Sequence, residues 1–300
     1  MKKIPLQQAI ALSLAALHQP VITRYQLGLF VFQLYLTKQF SGKPVRISAQ
    51  TPDRRALSRA ITQLLDSGVL HPNKNFPQGR VFTILGKEKS SADEIACSVD
   101  PFSYVSHLSA MEYHGLTDRL SKMLFLSSPN TKTWHDFANQ RIAKDLGDNE
   151  QLYRALNFPL LQRLNINKIG KRAVNRHSSI HLGAYKNIKD TALRIATIGR
   201  TFFDMIHKPE FCGGIYHVID TYQEFAKKYL NLLLPEIDKH GTKMDKARAG
   251  YILESRCDLN HSTIDSWAQD AQRGGSRKLD PAQEYSSNYS ERWGLSINIG

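Results

Sequence analysis

Cysteine is scarce and poorly spaced for chemistry: Cys97, Cys212 and Cys257 are odd in number and share no CxxC spacing. That pattern argues against a disulfide framework or a zinc ribbon and points to a reducing compartment, the cytosol. Long apolar runs are missing as well. The densest, Leu27 to Leu36, falls well short of the roughly 18 residues of a membrane span, so no membrane partner is expected. Met1-Lys2-Lys3 followed by Ile10 to Ala16 imitates a secretory leader, but Gln7 and Gln8 interrupt it and Leu17-His18-Gln19-Pro20 is a poor cleavage site. There is no HExxH, no GxSxG and no glycine-rich loop between a strand and a helix; Cys212-Gly213-Gly214 follows Pro209 and reads as a turn. His107 and His114 lie seven apart, too far for the i, i+4 bite of a helical zinc pair. No metal, cofactor or catalytic residue is therefore expected.

Acidic residues are what the N-terminal part lacks most. The chain of 300 residues carries a formal net charge of +13. Residues 1 to 90 hold thirteen Lys or Arg against only Asp53, Asp66 and Glu88, a net +10, whereas residues 91 to 300 are close to balanced at +3. Charge segregated in this way is the footprint of a nucleic-acid-binding module joined to a more neutral body.

Apolar periodicity organises that basic module. Leu6, Ile10, Leu14 and Leu17 predict a first helix ending before Pro20. Thr23 can cap a second, over 24–38, whose Leu27, Phe30, Val31, Leu34 and Tyr35 are either buried on several sides or part of a dimer seam. Pro44 to Ile47 reads as a short strand. Thr51-Pro52-Asp53 carries a cap, a first-turn proline and an acid, and predicts the start of a third helix running to Ser67. Leu57, Ile61, Leu64 and Leu65 form its buried stripe; Arg54, Arg55, Ser58, Arg59 and Thr62 form the opposite face. Val69-Leu70, a turn-rich segment from His71 to Gly79, and Arg80 to Leu85 complete a hairpin.

Helix, helix, basic helix and hairpin is the order of a winged helix-turn-helix. A cluster of arginines alone would read as a solvated face; followed by a hairpin bearing Lys74, Asn75 and Arg80, it reads as a surface for double-stranded DNA. The absence of an aromatic ladder argues against an RNA-recognition sheet. Arg54, Arg55, Ser58 and Arg59 are expected in the major groove, with Lys74, Asn75 and Arg80 beside it. A second basic stretch, Lys168, Lys171, Arg172 and Arg176 with His177, reads equally as a phosphate contact or as an exposed strand and loop.

Beyond a polar linker at 87–100, the chain mixes both element types. Helices are expected over Tyr104 to His114, Thr201 to His207, Ile215 to Leu234, Lys243 to Ser255 and Ser262 to Ala271; strands over Met123 to Leu126, Leu193 to Ile198 and Trp293 to Ile297. Asp204 and Glu210 are the acids a nuclease would need, although Asp204 lies where it can support the helix after Thr201.

Three blocks then stand out: Tyr104-Val105-Ser106-His107-Leu108-Ser109-Ala110 with Tyr113-His114-Gly115-Leu116; Arg200-Thr201-Phe202-Phe203-Asp204; and Lys208-Pro209-Glu210-Phe211-Cys212-Gly213-Gly214. With Gly250-Tyr251-Ile252-Leu253-Glu254 and Trp293-Gly294-Leu295, their order resembles the AbiEi family of type IV antitoxins. The resemblance implies an N-terminal domain that binds inverted repeats in its own promoter, as a dimer or cooperatively. It also implies a C-terminal domain that neutralises a cognate AbiEii-type nucleotidyltransferase toxin in phage defence. The antitoxin function would be sought at Arg200, Thr201, Asp204, Pro209, Glu210, Gly213, Gly214 and Glu254. A segment near Asn130 to Arg154 departs from short family members and has no assigned role.

The expected fold is α+β and helix-rich: a winged helix-turn-helix at 1–86, a linker, and a mixed α/β antitoxin domain at 101–300. The expected function is an autorepressing antitoxin without catalysis. A nucleic-acid-processing enzyme and a ligand-sensing regulator without a toxin partner are the alternatives.

Overall fold

The computed structural model describes residues 3–53, 55–179, 182–271 and 277–299. The chain is α+β and helix-rich, and it divides into two units that do not follow the sequence in a single cut. One comprises Met1–Ser103, Ser128–Ile180 and Asn187–Arg194; the other comprises Tyr104–Ser127, His181–Lys186 and Ile195–Gly300. Among the described residues no helix is long and apolar enough to cross a membrane.

In the first unit, β1 (Ile4–Pro5) leads into α1 (Leu6–Ala15), which buries Ala9, Ile10 and Leu14. After β2 (Val21–Thr23), α2 (Arg24–Thr37) starts at the expected cap: the Thr23 hydroxyl accepts the Gln26 N–H, and the Gln26 side chain accepts the Thr23 N–H at 2.9 Å. This reciprocal pairing satisfies two amides that a helix start leaves open. The connection to the next helix contains a hairpin of β3 (Gln39–Phe40) and β4 (Lys43–Arg46), with β1 parallel to β4. Then come α3 (Ala56–Asp66), β5 (Leu70–Pro72) and β6 (Val81–Ile84). β6 lies between β2 and β5, antiparallel to both, with Val21 opposite Thr83 and Leu70 opposite Ile84.

The linker expected at 87–100 is only partly one. Residues 92–99 form α4 (Ala92–Val99), with a reciprocal cap between Ser91 and Glu94 and with Ala96, Cys97 and Val99 buried. The boundary expected near residue 100 is also displaced, because residues 128–180 and 187–194 complete the first unit. Helix Thr131–Leu146, capped by the Asn130 side chain, presents Trp134, Ala138, Ile142 and Leu146 inward. Ile142, Leu146, Tyr153 and Phe158 share one core with Leu14, Phe32, Leu57, Leu64 and Phe82. Phe32 meets Tyr153 and Phe158 edge-on at ring separations of 5.0 and 5.6 Å. The unassigned segment near 130–154 is therefore part of the wall of the N-terminal core, each large apolar side chain contributing about 1.5–3 kcal/mol by burial.

Gly28 on α2 makes this approach work. A Cβ there would stand 2.6 Å from the Tyr153 hydroxyl and 3.1 Å from the Pro159 ring. Gly28→Ala is expected to destabilise the first unit by roughly 1–3 kcal/mol, more than the gain in helix propensity returns. A thermal midpoint equal to or above that of the wild type would contradict this packing.

The second unit holds a short sheet in which Val105 pairs with Leu126 antiparallel and with Ile195 parallel. The helical expectation for 104–114 is corrected to a strand, Tyr104–Val105, followed by a helix, His107–Tyr113. Helix Ile198–His207 buries Phe202, Phe203, Met205 and Ile206 against the long helix Ile215–His240. Helix Lys243–Tyr251 ends in a π-helical turn, Ile252–Arg256, and Ser262–Gln269 follows. The closing strand is shorter than expected, Leu295–Ser296, paired with Tyr289–Ser290.

Candidate nucleic-acid interface

The helix α3 is amphipathic in the expected sense. Ala56, Leu57, Ala60, Ile61 and Leu64 are buried, while Arg55, Ser58, Arg59 and Thr62 are exposed. Its start is not where Thr51-Pro52-Asp53 placed it. Arg55 occupies the cap position without a side-chain hydrogen bond. Asp53 intervenes: its carboxylate accepts the Arg55 N–H at 3.0 Å and its carbonyl accepts the Ala56 N–H at 3.0 Å. This Asx-type turn competes with continuing the helix backwards. Arg55 thus stands at the helix N-terminus, with Ser58 and Arg59 in the first turn. Arg54 lies outside the described residues.

The cations differ in how free they are. Arg59 is held bidentately by Asp53, Nη2 to Oδ1 at 2.9 Å and Nη1 to Oδ2 at 3.1 Å, and the Tyr35 phenol acts on the same guanidinium. Desolvation works against it, but this guanidinium and the Arg55 and Ala56 amides hold the Asp53 carboxyl below its ordinary pKa. Ser58 Oγ receives Arg24 Nη2 at 3.5 Å, and the Arg24 N–H donates to the Arg80 carbonyl at 2.8 Å, so α2, α3 and the β5–β6 hairpin meet at one corner. Arg80 itself donates to Gln162 Oε1 at 2.8 Å.

Asn75 is exposed and also serves as a structural tie. Its amide nitrogen donates to Asn73 Oδ1 at 2.9 Å, and its Oδ1 accepts the Gly170 N–H at 2.8 Å. Arg55 and Lys74 are exposed, and among the described residues neither is in a salt bridge. Sequence reasoning missed Arg24 and the restraining Asp53. Arg24's place directly after the capping Thr23, at the foot of the predicted second helix, was the available signal.

Asp53 sets a local test. Asp53→Asn removes the carboxylate that pairs with Arg59 and releases that guanidinium. Binding to any duplex at low salt is expected to tighten roughly threefold to tenfold, with a steeper salt dependence. Weaker binding would contradict this and make Asp53 the group that aims Arg59.

The second basic stretch forms a strand and loop whose arginines and lysines differ in environment. Arg172 pairs with Asp93 at 2.9 Å; Arg176 donates to the Leu164 carbonyl at 3.1 Å and lies 3.8 Å from Asp100. Lys168 and Lys171 remain exposed.

No known family matches this sequence, and no curated protein is similar to it.

The residues of the three sequence blocks, with Glu254, are largely interior to the second unit. Arg200 and Asp204 are about 1 % exposed and bonded at 2.8 Å, and Thr201 donates to the Thr197 carbonyl at 2.9 Å. Pro209 accepts the Gly214 N–H at 2.8 Å in a turn for which Gly213 and Gly214 both adopt φ of +91°. Glu254 accepts Trp293 Nε1 at 2.7 Å and pairs with Arg292 at 2.8 Å. Of this set, Glu210 and Gly213 are exposed, Glu210 facing Lys208 at 3.7 Å. The two acids considered for a nuclease thus occupy different environments, one sealed with an arginine and one at the surface. Among the described residues no group of three or more His, Cys, Asp or Glu is placed to hold a metal ion.

Proposed function

We propose that this chain is a DNA-binding transcriptional regulator of the AbiEi antitoxin type, which represses its own promoter and restrains a nucleotidyltransferase-like toxin encoded beside it. The observation that carries the DNA-binding half is the exposed cationic start of α3, with Arg55 and Arg59 beside Ser58. Around it, three helices and a sheet in the order β2-β6-β5 support a winged helix-turn-helix reading, with β5–β6 as the wing. A helix of this kind fits a major groove about 12 Å wide, where guanidinium groups bond guanine edges and phosphates.

The antitoxin half rests on the order of the AbiEi-like blocks. Because residues 128–180 belong with the first unit, the test uses the full chain. A reporter driven by the upstream region is repressed by the wild type and released by Arg55→Ala with Arg59→Ala. The same variant still relieves growth arrest by the neighbouring gene product. Absence of repression by the wild type refutes the regulator; absence of relief refutes the antitoxin.

A ligand-sensing regulator is the second reading, favoured by a cleft of about 350 Å³ in the second unit lined by Thr117, Asp118, Arg119, His217, Asp220 and Glu224. Release of the repressed promoter by a small cationic or polar metabolite, without any toxin gene, would support that reading over the first.

A further inference from the structure

The second basic stretch, left over from the sequence, is brought to the wing by the fold. The strands Lys168–Ile169 and Arg172–Ser178 form a hairpin in which Ile169 opposes Arg172 and Lys168 opposes Ala173. Its tip is Gly170-Lys171, with Gly170 at φ +60°. A two-residue turn with glycine first is a favoured hairpin connection, because that position needs a positive φ. The Gly170 N–H donates to Asn75 Oδ1 at 2.8 Å, joining this tip to the loop between β5 and β6. A second tie, Arg80 to Gln162 at 2.8 Å, fastens the base of that loop to the stretch that precedes this hairpin.

The division of labour among the cations is informative. Arg172 and Arg176 are turned to partners within the unit, Asp93, Asp100 and the Leu164 carbonyl, and Ile169 is buried. These contacts hold the hairpin in place. Lys168 and Lys171, flanking the bonded Gly170, are exposed, as is Lys74 next to Asn75. Among the described residues none of the three lysines is in a salt bridge. Three exposed lysines carried by two joined hairpins add positive charge to this edge, which a polyanion would neutralise.

We propose that the Gly170-Lys171 turn is a second finger of the wing, and that Lys74, Lys168 and Lys171 together grip the phosphate backbone of duplex DNA beside the groove that α3 enters. This inference rests on the DNA-binding reading above. Lysine suits the role: it is a flexible point charge that positions a protein on the backbone without reading bases. Asn75 is the positioning residue, acting through Gly170.

The experiment uses the full chain with two duplexes of equal length, one from the region upstream of its gene and one scrambled, between 50 and 200 mM salt. Each phosphate contact contributes about 0.9 to the log–log salt slope, so Lys168→Ala with Lys171→Ala is expected to flatten the slope by about 2. Both duplexes weaken by the same factor, leaving their ratio unchanged. Lys168→Arg with Lys171→Arg keeps the slope. Asn75→Ala, which removes no charge, flattens it in part. If the wild type binds and the alanine pair leaves the slope unaltered, or if the loss is confined to the upstream duplex, the second finger is overturned. If the wild type binds neither duplex, the parent reading falls and this one with it, a result distinct from the first.

Discussion

Replacing Arg55 and Arg59 together with alanine is expected to remove sequence-specific DNA binding while leaving the fold intact. Both side chains are exposed and neither belongs to the buried stripe of Leu57, Ile61 and Leu64, so the helix and its packing do not depend on them. A guanidinium that bonds a guanine edge contributes roughly 1–3 kcal/mol of discrimination, and the loss of two amounts to about thirtyfold or more in Kd. The loss is larger for the upstream duplex than for a scrambled one. That separates the pair from Lys74→Ala, which weakens every duplex alike. Equal weakening of both duplexes by the arginine pair would reduce α3 to a backbone contact. An unchanged Kd would remove α3 from the interface altogether.

The other large effect lies in the second unit, where Trp293 closes the core. Its indole is fully buried and donates to Glu254, while Arg292 pairs with Glu254 and, at 2.7 Å, with Asp265. Gly250 lies directly beneath: a Cβ there would stand 2.1 Å from Cη2 of the ring. Trp293→Ala is expected to cost about 3–5 kcal/mol through the cavity it leaves. Gly250→Ala alone forces the indole or the helix to move and costs roughly 1–3 kcal/mol or more. The informative variant is the double. With the indole gone the clash vanishes, and alanine is about 1 kcal/mol better than glycine inside a helix, so Gly250→Ala changes sign and becomes stabilising. Additive losses in denaturant unfolding would contradict the packing of Trp293 on Gly250. The same result bears on Glu254, which holds the tail through Trp293 and Arg292.

Periodicity made the N-terminal helices legible, because their stripes, Ile10 with Leu14 and Leu57 with Ile61 and Leu64, bury in situ. Local chemistry misled at Thr51-Pro52-Asp53, where three separate start signals were outweighed by the turn Asp53 makes with its own following amides. At 87–100 the reverse occurred. Small polar composition suggested a linker, but Ser91-Ala92-Asp93-Glu94 carries a capping-box spacing, and that spacing was the better guide. Trp134, Ala138, Ile142 and Leu146 recur every fourth residue, so a helix was readable there. Its destination was not, since apolar spacing says which face is buried and not against what. Asn75 was beyond reach for the same reason: its partner is Gly170, 95 residues away, and no local pattern encodes that bond. The Arg200–Asp204 pair was readable as an i, i+4 bridge, yet its burial depends on the long helix that covers it.

The central claim is that α3 enters the major groove of a particular duplex. Chemical footprinting of the full chain on the DNA upstream of its gene tests it most directly. The account predicts protection of an inverted repeat, with guanines in each half-site shielded in the major groove, abolished by Arg55→Ala with Arg59→Ala and retained in Trp293-intact variants of the tail such as Arg292→Lys. Uniform, sequence-independent protection, or none at concentrations where the protein is folded, would contradict it.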